Sequence, residues 1–161
     1  MAIPHVQAEA VAARLAQERF IYGVSKVPDD KLTWSPSETA KSPLQIAGSL
    51  AGFLSFVTMV ITNKAVPPMD GERPPLPDSR EAVNAALEAG FQGLRAAIDG
   101  IAEEDLGIGI PAPWMPGVPL NLISWVGMGL GVCSYFQGQL NYSQTIYGDM
   151  DPNIPDSWGH G

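Results

Sequence analysis

Fifteen prolines divide this 161-residue chain unevenly, and none falls within 5–27, 44–66, 78–110 or 120–151. A proline inside a helix costs roughly 3 kcal/mol, through its missing N–H and its clash with the preceding turn. Four long proline-free windows separated by proline-bearing connectors therefore predict four helices. The links run roughly 26–42, 63–77 and 102–118. Successive hairpins use about 2–8 residues per link, so links this long predict a bundle with crossing connections. No repeat or composition break divides the chain, and its length suits one domain with a sizeable core. Residues 1–161 read as one all-α, four-helix domain.

Charge removes several classes of function. The chain carries 9 Lys and Arg against 17 Asp and Glu, a net charge of −8, and no window clusters the basic residues. Phosphate backbones repel such a chain, so no nucleic-acid partner is expected. The single cysteine, Cys133, excludes an internal disulfide and any paired-cysteine metal motif, and its apolar neighbours make it a buried, inert thiol. Met1–Gln7 shows neither a basic n-region nor an apolar h-region, so a cytoplasmic location is expected. Residues 42–63 carry no charge and are long enough to span a bilayer. Yet Lys41 and Lys64 flank that stretch symmetrically, and Gln45, Ser49, Ser55, Thr58 and Thr62 interrupt it. A helix apolar on most sides also suits the centre of a soluble bundle, and no membrane role is expected.

Local patterns place the helices. In the first, near Val6–Ser25, Val11, Leu15 and Tyr22 share one face, while Ala13, Ala16, Phe20 and Val24 lie opposite. Both faces are apolar, so one should meet a covering loop or a partner chain; Glu18 reads as reaching solvent. Ser42-Pro43-Leu44-Gln45 is a capping box opening the second helix, whose large stripe is Ile46, Leu50, Phe53, Val57, Val60 and Ile61. The third starts at Asp78 or Ser79 and has the cleanest stripe, Val83, Leu87, Phe91, Leu94, Ile98 and Ile101; Arg80, Glu88, Arg95 and Asp99 read as its solvated face. The fourth is expected from near Pro119 to Tyr147, with Gly148 as a left-handed cap. Trp125, Met128, Val132, Tyr135, Phe136, Gln139 and Tyr142 are placed on its inward side. Gly127, Gly129 and Gly131 each cost a helix about 1 kcal/mol relative to Ala, which points first to close packing.

Two further motifs carry a resemblance. The connector Asp29-Asp30-Lys31-Leu32-Thr33-Trp34-Ser35-Pro36 precedes the capping box, and the last helix contains Phe136-Gln137-Gly138-Gln139-Leu140-Asn141-Tyr142. Over nearly its whole length the chain resembles the DinB-like (YfiT-like) metalloenzyme superfamily, and the Gly138-Gln139 pair is the most specific element. The resemblance implies a four-helix bundle of up-down-down-up topology, often dimeric. It also implies a zinc or nickel ion held by three histidines, one from the second helix and two, four residues apart, from the last. Such a facial triad leaves open positions for water or substrate. Here those positions correspond to Ser49, Val132 and Phe136. The only histidines are His5 and His160.

The sequence therefore predicts a family member without the family's metal, and no cofactor. The former cleft would be lined by Ser49, Phe53, Trp125, Met128, Val132, Phe136 and Gln139, either filled by packing or holding a small apolar ligand. The expected role is non-catalytic: structural, interaction or ligand binding, as a homodimer. The alternative is a metal-independent transferase or hydrolase related to the family's thiol-dependent enzymes, using Ser49, Cys133, Tyr135, Gln139 or Tyr142, with Glu18 as the nearest base. A nucleophile needs such a base beside it, and the charge-free helices supply none.

Overall fold

The computed structural model describes residues 3–71 and 74–159. Five α-helices are present there: α1 (Pro4–Lys26), α2 (Asp29–Leu32), α3 (Pro43–Asn63), α4 (Arg80–Asp99) and α5 (Leu122–Ile146). The four long ones occupy the proline-free windows. The one-turn α2 lies in the first link, with Asp29 and Asp30 in its first turn.

The caps explain the boundaries. Ser42 accepts the Gln45 amide at 3.3 Å while Gln45 Oε1 accepts the Ser42 N–H at 3.0 Å, completing the expected box. Ser79 caps α4 by accepting from the Ala82 amide at 3.2 Å. The last helix starts three residues later than Pro119. Asn121 and Ser124 form a capping box there, and residues 108–122 are tied back by an antiparallel bridge, with Ile110 N–H to Leu120 O at 2.9 Å and Leu122 N–H to Ile108 O at 3.0 Å. These bonds hold Leu120 in extended backbone, which prevents the helix from starting at the proline. Gly148, at φ 98°, closes the other end: its N–H bonds Thr145 O and the next N–H, from Asp149, bonds Gln144 O at 3.0 Å.

Contacts between helices give the topology. Gly90 of α4 lies against Leu54 and Ala51 of α3, and Gly93 against Thr58, so α3 and α4 run parallel. Gly129 of α5 meets Val57, whereas Phe136 sits beside Lys41, so α5 is antiparallel to α3. Arg80 at the start of α4 donates to the carbonyls of Val24 and Val27 at the end of α1, so α1 and α4 are antiparallel. The order is up-down-down-up, with α3 packed on α4 and α5, and α1 packed on the same two helices. The parallel α3–α4 pair requires a connection that crosses the length of the bundle, and the proline-rich link after α3 supplies it.

The core follows the stripes with three corrections. Val83, Leu87, Phe91, Leu94 and Ile98 are fully buried, as their spacing predicts. On α3, the small residues Ala47, Gly48 and Ala51 are buried as well as Ile46, Leu50, Val57, Val60 and Ile61, while Phe53 of the large stripe is half-buried. Gly48 faces Leu76 and Pro77 of the crossing link; a Cβ there would approach Pro77 to 3.0 Å. This helix is long and apolar enough to cross a membrane, and 56% of its most apolar window is buried inside the bundle. The second correction is Arg80. It is no solvated residue but a clamp, bonding Asp29 at 2.8 Å as well as the two α1 carbonyls. The third is the face of α5. Tyr135 and Tyr142 are 62% and 70% exposed, and the buried side runs through Leu122, Trp125, Val126, Gly129, Cys133, Phe136, Gln137 and Leu140. A helix apolar on all sides gives periodicity too little contrast to choose its inner face.

The covering loop expected over α1 is the chain's own C-terminal segment. Arg19 donates to Pro152 O at 3.3 Å, Tyr22 to Asp156 at 3.2 Å, and the Trp158 indole to Glu18 at 2.8 Å. Val11 and Leu15 remain exposed. His160 lies outside the described residues.

Candidate functional site

Ser49 of α3 and Phe136 of α5 are linked across the seam between these helices by a third residue. Lys41, one residue before the capping box, folds back along α3. Its Nζ donates to Ser49 Oγ at 2.8 Å and lies 5.5 Å from the centroid of the Phe136 ring. A cation over an aromatic face is attracted by the ring quadrupole, worth about 0.5–1 kcal/mol at an exposed site. Tyr135 packs edge-on against Phe136 at 5.4 Å, and Gln139 donates to the Tyr135 hydroxyl at 2.8 Å. Lys41, Ser49, Phe136, Tyr135 and Gln139 thus form one connected line. Val132, one turn before Phe136, is half-buried against the core, and so is Met128.

The other cleft residues are committed to packing. Trp125 is fully buried, and its indole N–H donates to Ile110 O at 2.9 Å. Phe56 bridges Phe53, Trp114 and Trp125, with ring centroids 6.4, 6.1 and 6.0 Å away. Four rings therefore fill this end of the α3–α5 seam.

These groups do not fit a zinc or nickel ion. The three positions that the resemblance assigns to histidines offer one hydroxyl and two hydrocarbon side chains, and the hydroxyl already accepts from an ammonium. Borderline metals need imidazole, thiolate or carboxylate donors. Among the described residues, no three His, Cys, Asp or Glu side chains come together. His5 lies far off at the start of α1, 3.8 Å from Glu9.

Nor does the seam pair a nucleophile with a carboxylate or imidazole base; the one amine there, Lys41, donates to the Ser49 hydroxyl. Cys133 is buried, its Sγ contacts Gly129 O at 3.3 Å, and burial pushes its thiol from the ordinary 9.0 up to about 12. Such a thiol supplies no thiolate near neutral pH. Glu18 accepts from Trp158 of the C-terminal segment and lies 3.8 Å from Arg14 on its own helix, not at the α3–α5 seam.

Sequence reasoning missed two groupings. One is Lys41, which reads as a helix flank. The other is a polar chain where α5 meets the C-terminal segment. Asn153 is fully buried at φ 54°. Its Nδ2 donates to Gln144 Oε1 at 2.6 Å and to Asn141 Oδ1 at 2.7 Å, and Gln137 Nε2 donates to the same Asn141 oxygen at 2.7 Å. Gln144 Nε2 in turn donates to Asp149 at 3.3 Å. The polar composition of the end of α5 was the available signal.

An all-helical, antiparallel-edged bundle with a parallel α3–α4 pair defines the class of fold. Comparison with known proteins names it. The DinB superfamily model matches residues 12–131, well over half of the chain, and the chain belongs to that superfamily. A DinB-like protein of Bacillus subtilis, YjoA, superposes with TM-score 0.68 at 14% identity, covering 86% of this chain and 91% of that one. A conserved protein of Enterococcus faecalis superposes with TM-score 0.70 at 17% identity, covering 89% and 96%. No curated protein matches the sequence.

Proposed function

We propose that this DinB-superfamily chain works without the family's metal, as a non-catalytic, cytoplasmic interaction protein that assembles as a homodimer and has no nucleic-acid or membrane partner. One observation carries the reading. Where the family's histidines would converge, the Lys41 ammonium lies between Ser49 and Phe136, so a tethered cation stands where a divalent one is expected. Like charges repel across such a short span, so Lys41 adds an electrostatic barrier to the missing ligands. Exposed apolar side chains on α3 and α5, Met59, Tyr142 and Ile146 among them, favour assembly. The enzymatic alternative has no comparable support, because the one thiol is buried, the seam holds no carboxylate or imidazole, and the amine beside Ser49 donates to its hydroxyl.

Elemental analysis of tag-free protein tests this directly. The expected content is well below one zinc or nickel per chain, and a content near one overturns the reading. The combined variant Ser49→His, Val132→His, Phe136→His with Lys41→Ala should gain a metal. If it stays metal-free while folded, the correspondence of these positions is wrong. Light scattering checks the dimer, and a monomer at working concentration removes that part.

A further inference from the structure

A groove of about 440 Å³ runs along the seam between α1 and α5, on a different side of α5 from Lys41 and Ser49. Its lips are small residues: Ala12 and Ala16 on α1, Ser134 and Gly138 on α5. Leu15, Leu130 and the Cys133 side chain make its flanks apolar, and Trp158 of the C-terminal segment closes one end. Gly138 is costly here. A mid-helix glycine is a poorer helix former than alanine, yet a Cβ at 138 would meet nothing within 4 Å. The groove is therefore open at this lip, with room for a larger side chain.

The polar end of the groove carries a specific deficit. Gln137 lines it and is 7% exposed, and its Oε1 has neither a donor nor access to bulk water. The orientation of that amide is fixed from a distance. Asp149 only accepts, so Gln144 must turn its NH₂ toward it and its Oε1 toward Asn153. Asn153 then donates to Asn141 Oδ1, and Gln137 must donate to that same oxygen through Nε2. Flipping Gln137 would set two oxygens against each other. The chain of amides therefore ends on a bare acceptor. Leaving such a buried acceptor unmet is costly, because its lost hydration is not replaced. Arg19 lines the same groove, its Nε is also unpartnered, and its guanidinium makes one hydrogen bond, the 3.3 Å contact to Pro152 O. Little holds it against moving aside.

We infer that this groove binds a small amphipathic molecule: an apolar body between Leu15 and Leu130, and a neutral head that, with Arg19 swung aside to uncover the buried amide, donates a hydrogen bond to Gln137 Oε1 and accepts one from Arg19. A carboxamide is the simplest such head. The inference is independent of the metal reading, since metal content leaves this groove untouched.

Hexanamide and methyl hexanoate are the probes, titrated into isotope-labelled protein while the Gln137 side-chain amide and Trp158 indole signals are followed. The two share an apolar body and a carbonyl acceptor, and only the amide donates. Hexanamide should give saturable shifts at both signals, with the ester about tenfold weaker. Gly138→Leu should abolish the shifts while melting no lower than the natural protein, because it fills the groove and improves helix propensity. Equal binding of amide and ester, absence of saturable shifts up to the probe's solubility, or undiminished binding by folded Gly138→Leu overturns the inference. Groove signals that move with protein concentration alone would show a second copy in the groove, which overturns it too.

Discussion

Asn153 is the residue on which the C-terminal segment turns, and replacing it separates two physical effects. Its side chain makes two short hydrogen bonds, 2.6 Å to Gln144 Oε1 and 2.7 Å to Asn141 Oδ1. Asn141 keeps the bond from Gln137 when Asn153 is lost, but Gln144 Oε1 is stranded in a fully buried side chain. Stranding that oxygen costs about 1–3 kcal/mol. Asn153 also sits at φ 54°, where asparagine is tolerated and alanine loses roughly 1 kcal/mol or more. Asn153→Ala should therefore destabilise the docked segment by about 2–4 kcal/mol. Asn153→Gly loses the same bonds but relieves the backbone, so it should fall between the natural protein and the alanine variant. Asn153→Asp keeps the size but replaces a donor with an acceptor facing two oxygens. At neutral pH it should cost at least as much as alanine.

The readout matters, because a terminal segment can leave without global unfolding. The loss seen in urea denaturation is capped by the segment's own docking free energy. Hydrogen exchange at the Asn153 and Trp158 amides reads the segment directly. Exchange there should accelerate in the order Asn, Gly, Ala, while Leu87 and Phe91 of the α4 core change little. If Ala and Gly variants both protect the segment as the natural protein does, the network does not hold it and the argument from stranded oxygens fails.

Three other consequences follow from burial and from glycine packing. Gly129→Ala would place a Cβ 3.2 Å from the Val57 methyl, in a fully buried and β-branched neighbour that cannot turn away, so it should lower stability by about 1 kcal/mol or more despite the better helix former. Gly131→Ala meets nothing within 4 Å and should raise stability by about 0.5–1 kcal/mol; thermal melts of the pair check the contrast. Cys133, with its thiol pushed up to about 12, should resist iodoacetamide at pH 8 until the protein unfolds, and rapid labelling of native protein would refute the burial argument. The same shift sets an alkaline limit. The unfolded thiol ionises from its ordinary 9.0 while the folded one holds its proton, so the stability present below pH 9 declines as pH rises toward 12, and Cys133→Ala should flatten that decline.

How much of this was legible depended on contrast. Proline placement and the Ser42–Gln45 box marked α3 because backbone geometry is local, and the α4 stripe was plain because Glu88 and Asp99 oppose it. Long links foretold a crossing, which the Gly90–Leu54 and Gly93–Thr58 contacts realise as a parallel pair. The face of α5 was illegible because its outward side carries Tyr135, Tyr142 and Ile146 instead of charges. The role of 149–158 was illegible for a different reason. Its residues form no regular element beyond one short 3-10 turn, and their meaning lies in partners more than a hundred positions away, Glu18, Arg19 and Tyr22.

The α3–α5 seam shows the same limit and gives it a chemical sense. Neither helix carries a charged side chain, so from sequence the site is a list of things missing: no imidazole at 49, 132 or 136. Structure adds the group that is present, and it comes from outside both helices. Lys41 lies before the capping box, and the box fixes where α3 begins and hence how far back along it the lysine stem reaches, eight residues to Ser49. A cation supplied by the connector needs no ligands from the helices. Val132 and Phe136 are then free to be hydrocarbon, Phe136 offering its ring face to the ammonium. Under the proposed reading, the absent histidines and the folded-back lysine belong to one change. That coupling is why the metal-restoring variant must remove Lys41 as well as add the imidazoles: three ligands built around a resident ammonium would compete with it for the same space and the same sign of charge.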